Sequence, residues 1–93
     1  MIKLSDEEKV ILKKIDKRFK WIARDKDGNL FIYREKPIKK ESSWISETLF
    51  DWCGIWIFSH LFLSIKWGDE EPYLIEDLLK EELPKNFEKL SEE

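Results

Sequence analysis

The 93-residue chain has little of what builds a chemical site: one cysteine, one histidine and three glycines. Because Cys53 is alone, no disulfide can form within the chain, which fits a reducing cytosol and argues against a secreted scaffold. One Cys and one His cannot make a closed zinc site, so we predict no metal. The glycines form neither a Walker loop nor a dinucleotide turn, and there is no serine elbow. We therefore predict a protein with no catalytic residue and no cofactor.

The chain also lacks a convincing membrane span and a signal peptide. Its longest apolar run, residues 49–65, is roughly 26 Å long as a helix, just below the length of a typical span. The run contains Asp51, and an aspartate alone costs ~2.5–3.5 kcal/mol near the bilayer centre. The N-terminus mixes lysine with acids and has no basic end followed by an apolar run. We expect a cytoplasmic protein with no membrane partner.

Charge is abundant and uneven. Charged residues make up 40% of the chain, and the net charge is −3. Residues 1–40 carry 13 Lys/Arg against 7 Asp/Glu, a net of +6, whereas residues 69–93 carry 3 against 10, a net of −7. An acidic chain without a continuous basic stripe is not expected to bind duplex nucleic acid. The acidic C-terminal region suggests instead a DNA-like surface for a protein partner.

Local patterns predict an N-terminal helix. Ser5 and Glu8 have the spacing of a capping box, and three acids occupy the first turn. Apolar residues then recur at helical spacing opposite a lysine-rich face. We predict a helix over residues 6–18.

A hairpin is predicted next. Two apolar runs, 21–24 and 30–33, flank Asp25-Lys26-Asp27-Gly28, which favours a type I turn closed by a left-handed glycine. In this register both faces of the hairpin are apolar. The helix can cover one face, and the other needs the central segment, a second protomer or a ligand. We therefore predict a homo-oligomer.

The central stretch from Trp44 to Trp67 is the most apolar and the hardest to interpret. Its first part, 44–48, favours a third strand. The sequence leaves open whether residues 49–63 form strands or a buried helix, because a continuous apolar run is compatible with both. The interpretations are a turn at 51–54, a buried strand at 55–58, a helical turn at 59–62 and a final strand at 63–67.

The last element is a helix that begins with Pro72 in its first turn and stops at Pro84. Residues 84–93 are predicted to be a frayed tail. The whole chain, 1–93, is one domain without internal repeats. We predict an α+β fold with an N-terminal helix, a three- to four-stranded antiparallel sheet and a C-terminal helix.

Aromatic and cationic residues together suggest a nucleotide site. Five tryptophans in 93 residues are more than a core of this size requires, so one or two are expected at a binding surface. A base stacks on tryptophan while Arg or Lys neutralises phosphate. The candidates are Arg24, Arg34 and Lys36 for phosphate, Trp44, Trp56 and Trp67 for stacking, and His60 for a hydrogen bond to a backbone group or a ligand.

Two segments, WIARDKDGNLFIY followed by KP and HLFLSIKWGDEEPYLIEDLL, resemble a group of small proteins from phages and prophages of low-GC Gram-positive bacteria. The likeness covers residues 20–37 and 58–80. It does not extend to residues 38–57, and it implies no particular biochemical role.

A second set of short pieces comprises Ile22-Ala23-Arg24, Gly28, Phe31-Ile32-Tyr33, Pro37, Trp67 and Asp77-Leu78-Leu79. In these pieces the chain resembles the phage sponge proteins that inhibit Thoeris immunity by sequestering cyclic nucleotide signals. This likeness implies an oligomer that binds a cyclic nucleotide or ADP-ribose-type molecule between protomers without cleaving it.

The leading hypothesis is a non-catalytic phage-encoded anti-defence protein, acting in the host cytoplasm, that sequesters a nucleotide-derived immune signal. The alternative is an acidic inhibitor that binds a host defence protein directly, as a DNA mimic or in the manner of an anti-CRISPR protein. A third hypothesis is an enzyme that acts on nucleotides through His60.

Overall fold

A computed structural model describes residues 2–48 and 51–80, and the tail predicted over 84–93 lies outside these residues. The elements pair only antiparallel, in a four-stranded sheet of order β5-β2-β1-β6 and a separate β3-β4 ribbon. The predicted α+β class is confirmed. In chain order the elements are α1 (Asp6–Lys14), β1 (Trp21–Arg24), β2 (Leu30–Tyr33), β3 (Ile38–Lys39), β4 (Trp44–Ile45), β5 (Trp52–Gly54), a 3₁₀ helix (Trp56–Phe58), β6 (Tyr73–Leu74) and α2 (Ile75–Lys80).

Helix α1 begins as predicted and ends four residues early. The capping box is present, with the Glu8 amide donating to Ser5 Oγ and the Ser5 amide to Glu8 Oε1. After Lys14 the chain becomes extended. Asp16 accepts from both the amide and the guanidinium of Arg18, and such local side-chain bonds compete with a helix. These bonds lower the pKa of Asp16 to about 2.

The hairpin has the predicted register. Trp21 pairs with Tyr33 and Ala23 with Phe31, so these four side chains share one face of the sheet. The turn is closed by the Gly28 amide, which donates to the Asp25 carbonyl at 2.9 Å, and Gly28 has φ +96°. A left-handed residue at this position places the second strand back beside the first.

Both faces of the hairpin are covered within the chain. On one face Ile22, Leu30 and Ile32 are buried among side chains of the two helices and of the segment 58–65. On the other face Ala23 and Tyr33 pack with Trp44 of the β3-β4 ribbon. These faces therefore need no second protomer, and a homo-oligomer would need another surface.

The central stretch differs most from its prediction. The strand expected over 44–48 is limited to Trp44–Ile45 and pairs with β3 outside the main sheet. The expected turn at 51–54 contains β5, and the strand expected at 55–58 is instead largely a 3₁₀ helix. Residues 63–67 form turns and bends, not a strand. Hydrophobic periodicity did not predict this segment correctly, because four carbonyls between residues 59 and 65 bond to the Arg24 side chain and not to a neighbouring strand.

The C-terminal helix starts later than predicted. Pro72 precedes a strand, because Tyr73 and Leu74 pair with Ile22 and Trp21 at the far edge of the sheet. Helix α2 then begins at Ile75 and buries Ile75 and Leu78. The acids before Pro72 favoured a helix start locally, but pairing with β1 outweighs that preference.

Within the described ranges no helix is long and apolar enough to cross a membrane.

Candidate functional site

Arg24, predicted to contact phosphate, is buried and fully bonded to the backbone. Its Nε donates to the Ile65 carbonyl at 2.7 Å. The four remaining N–H groups point to further carbonyls, those of Gly28, Ser59, Leu61 and Phe62. A guanidinium has five N–H donors, so none is left for a ligand. Burial lowers the pKa of Arg24. We assign Arg24 a structural role, that of organising residues 59–65.

The other two phosphate candidates lie on the surface in ion pairs. Lys36 Nζ is 2.9 Å from a Glu71 carboxylate oxygen and lies over the Trp21 ring at 5.7 Å. Arg34 Nη1 is 3.5 Å from Asp51 Oδ1. The Arg34 side chain remains 45% exposed, so it can exchange this partner for another anion.

Trp44 and Trp67, predicted to stack on a base, both contact Lys39. The Lys39 Nζ lies 4.3 Å from the Trp67 ring centroid and 5.6 Å from that of Trp44. The same ammonium donates to the carbonyls of Trp67 and Asp69 at 2.6 and 2.9 Å. Lys39 therefore holds segment 67–69 against the ribbon. This contact occupies a face of the Trp67 ring.

Trp44 has a second role, because it lines an aromatic pocket of about 280 Å³. Strand alternation places Phe31 and Tyr33 on one face, and the pairing of Tyr33 with Trp52 adds the third ring. Trp44 and Ile45 of β4 form the opposite wall. We call this concavity the aromatic pocket.

The polar groups of the aromatic pocket are few and mostly bonded. The Asp25 carboxylate accepts from the Trp44 amide at 2.9 Å, and burial raises the pKa of Asp25. The Tyr33 hydroxyl donates to the Trp44 carbonyl, and burial together with Asp25 raises the pKa of Tyr33. Hydroxyls of Ser43 and Ser46 complete the lining. No lysine or arginine among the described residues lines it, so the pocket suits an uncharged ring and not a phosphate.

One donor near the pocket is unpaired. Trp44 Nε1 is buried and has no hydrogen-bond partner in the described part of the chain. Most buried donors in folded proteins are paired, so this indole N–H is an exception that requires an explanation.

Aromatic side chains continue from the pocket to the edge of the sheet. Trp52 is 48% exposed and Trp56 59% exposed. Both meet Phe31 edge-on, with centroid distances of 5.7 Å and 6.1 Å. Trp56 rests on Gly54, where a Cβ would come within 2.7 Å of the indole. Trp56 itself does not line the pocket.

His60, the last of the predicted ligand-binding residues, is exposed in the turn that follows the 3₁₀ helix, and it does not line the aromatic pocket. Among the described residues no three His, Cys, Asp or Glu side chains gather into a group that could hold a metal ion.

A larger groove of about 510 Å³ lies between the helices. Its floor is apolar, from Leu12, Ile15, Phe19 and Leu79, and it ends at Lys80, the last described residue. None of the predicted site residues lines this groove.

Sequence reasoning missed Phe31, Tyr33 and Trp52 as pocket residues. Alternation along the hairpin already placed the first two on one face. The missing information was the register of Trp52 beside Tyr33, because residues 51–54 were interpreted as a turn.

The described residues thus define a small α+β domain with an aromatic pocket and a half-exposed aromatic edge. Comparisons with protein-family models, with curated proteins and with solved structures find no match for this chain. The resemblance to phage proteins therefore stays a prediction.

Proposed function

We propose that this is a non-catalytic binding protein that takes the ring of a nucleotide-derived molecule into the aromatic pocket. The observation that carries the proposal is Trp52, a half-exposed indole at the mouth of a concavity walled by Trp44 and Phe31. Stacking of a base on an aromatic side chain contributes about 1–3 kcal/mol. A volume near 280 Å³ lies at the lower limit of ligand pockets, so it suits one ring system.

In this proposal the phosphate lies outside the pocket, near Arg34. Arg34 follows Tyr33 in the chain, and its ion partner Asp51 precedes Trp52. By strand alternation this pair lies on the other face of the sheet from the pocket rings, so a phosphate would reach Arg34 past the ends of β2 and β5. The Arg34 side chain is 45% exposed and can turn to a phosphate, whereas Asp51 is buried and would lose this partner. A guanidinium binds phosphate in a bidentate manner, which adds orientation to charge. Arg34 thus takes the role first considered for Arg24.

The biological setting we propose is that of a phage protein in the host cytoplasm that sequesters an immune signal. The ligand class is a cyclic nucleotide or ADP-ribose-type molecule, held and released unchanged. The pocket's carboxylate, Asp25, already accepts a backbone hydrogen bond and is poorly placed to act as a general base.

Calorimetry against cyclic di- and trinucleotides and ADP-ribose derivatives tests this proposal. Trp52→Ala should weaken binding by about 5- to 150-fold, the equivalent of one lost stacking contact. Leu63→Ala removes a more exposed apolar side chain elsewhere and should bind as the wild type does. Arg34→Ala should weaken the binding of nucleotides but not that of the parent nucleosides. Failure of every member of the panel to bind would overturn the proposal.

A protein partner is the second candidate, and one observation favours it. Trp56, Ile57 and Leu63 are 59%, 77% and 68% exposed, and such apolar surfaces commonly mark protein contacts. Together with the acidic C-terminal region, this surface would fit an inhibitor of a host defence protein. A stoichiometric protein recovered from host lysate and lost at high salt, with no small ligand bound, would favour this candidate.

A further inference from the structure

Strand β5 has an unpaired outer edge in the described part of the chain. It is the end strand of the order β5-β2-β1-β6. Cys53 lies opposite Ile32, and two hydrogen bonds flank this pair, Arg34 N to Asp51 O and Ile55 N to Leu30 O. In an antiparallel ladder with these bonds, Cys53 turns its N–H and C=O toward β2. The backbone groups of Trp52 and Gly54 therefore point outward.

Among the described residues, this edge carries none of the features that usually prevent strand pairing. Edge strands are commonly protected by lysine, by proline or by a covering loop. Residues 52–59 contain no charged residue and no proline. Instead the segment exposes Trp52, Cys53, Trp56 and Ile57. An apolar edge with free backbone donors and acceptors is a surface for a further strand.

We infer that a second copy of this chain covers the edge, with the two β5 strands antiparallel about a two-fold axis at Cys53. The strand has three residues, so the axis at its centre pairs Trp52 with Gly54 of the partner subunit. The outward N–H and C=O groups of both residues then form four hydrogen bonds across the axis. The contact is isologous, meaning that one patch meets its own copy, as in most natural dimers.

The side chains fit this arrangement. Trp52 lies opposite a glycine, so no Cβ obstructs its indole, and the partner subunit's Trp56, which rests on that glycine, offers a ring surface to it. Half-exposed tryptophans and Ile57 amount to apolar surface on the order of 300 Å² per protomer. Interfaces of this size fall below the usual ~800 Å² per partner, so the dimer should dissociate on dilution.

This inference rests on the edge of the sheet and needs no ligand, although Trp52 belongs both to this edge and to the aromatic pocket. It also supplies the surface for a homo-oligomer that the hairpin faces do not provide. The four-stranded sheet would become eight-stranded, with the two aromatic pockets on the same face.

Cross-linking through Cys53 tests the geometry. In the proposed pairing the two Cys53 residues form a non-hydrogen-bonded pair, whose Cα separation of about 4.5 Å is within the range of a disulfide. Copper-phenanthroline with oxygen should take two electrons and two protons from the two thiols and leave one S–S bond. Cys53→Ser/Glu41→Cys, with an exposed thiol on a loop, is the matched control and should cross-link far more slowly.

Sedimentation equilibrium in reducing buffer tests the association itself. The wild type should show a concentration-dependent dimer. Trp56→Lys should be monomeric, because it places like charges at the axis, whereas Leu63→Lys, equally exposed but off the edge, should still dimerise. Circular dichroism would verify that both variants fold. A wild type that is monomeric at every concentration, or that cross-links no faster than the control, would overturn the inference. Ligand binding by monomeric Trp56→Lys would separate this result from the proposed function.

Discussion

At the scale of single residues, Arg24 is the side chain that donates hydrogen bonds to five backbone carbonyls. Arg24→Lys keeps the charge but supplies three donors in place of five, so carbonyls of residues 59–65 lose their partners. Each buried group left unpaired costs about 1–3 kcal/mol. We expect urea denaturation to show a loss of about 3 kcal/mol or more. Arg34→Lys, on the surface, should stay within about 0.5 kcal/mol of the wild type. Equal stability of the two variants would contradict the structural role.

Asp25 gives a pH-dependent prediction at the same scale. Burial raises the pKa of its carboxyl above the ordinary value of 3.8, so the folded state keeps its proton to a higher pH than the unfolded state does. Wild-type stability therefore falls as the pH rises through this interval. Asp25→Asn retains an oxygen that can accept from the Trp44 amide but carries no charge. The variant should be more stable than the wild type at pH 7, and the advantage should disappear below about pH 3.8. Urea titrations at several pH values measure it, and a difference independent of pH would contradict the prediction.

At the scale of elements, the hairpin was predictable because its information is local: alternating apolar residues, an Asp-initiated turn and a glycine in one stretch. Strand β5 was not, because its position depends on pairing between Trp52 and Tyr33, nineteen residues apart in the chain. Segment 59–65 was not predictable either, because several of its carbonyls bond to the guanidinium of Arg24, far away in the chain, and do not pair with a strand. Alternation placed Phe31 and Tyr33 on one face of the hairpin, but the rest of the pocket required the tertiary fold.

Substitutions at two glycines, one in the hairpin turn and one outside it as a control, test the conformation of the turn. Gly28 has φ +96°, where an L-residue costs about 1–2 kcal/mol, so Gly28→Ala should lower the Tm by roughly 4–15 °C. Gly68→Ala is the control, because its position is open and its φ is not left-handed. It should be neutral or stabilise by up to about 1 kcal/mol through the unfolded chain. Calorimetric melting distinguishes them, and equal shifts would contradict the assignment of the turn.

At the scale of the whole molecule, Glu8 joins the first helix to the central segment of the chain. Its Oε1 caps α1, and its Oε2 accepts from the Phe62 amide at 2.6 Å, 54 residues away. Glu8→Ala removes both bonds and should destabilise the protein by about 2–3 kcal/mol. Glu7→Ala, next to it and exposed, should cost less than about 0.5 kcal/mol. Urea denaturation compares the pair, and equal losses would show that the link to Phe62 contributes little.

The complete hydrogen bonding of the Arg24 guanidinium also has a kinetic consequence. Residues 59–65 form no strand. The Phe62 carbonyl accepts locally from the Ile65 amide, but the bonds from Arg24 to this segment form only after the hairpin has presented the guanidinium. We expect this segment to become ordered late in folding, after the transition state. Arg24→Lys should then accelerate unfolding and leave the folding rate nearly unchanged, a φ-value close to zero in stopped-flow experiments. A slowed folding limb would instead place the guanidinium in the nucleus.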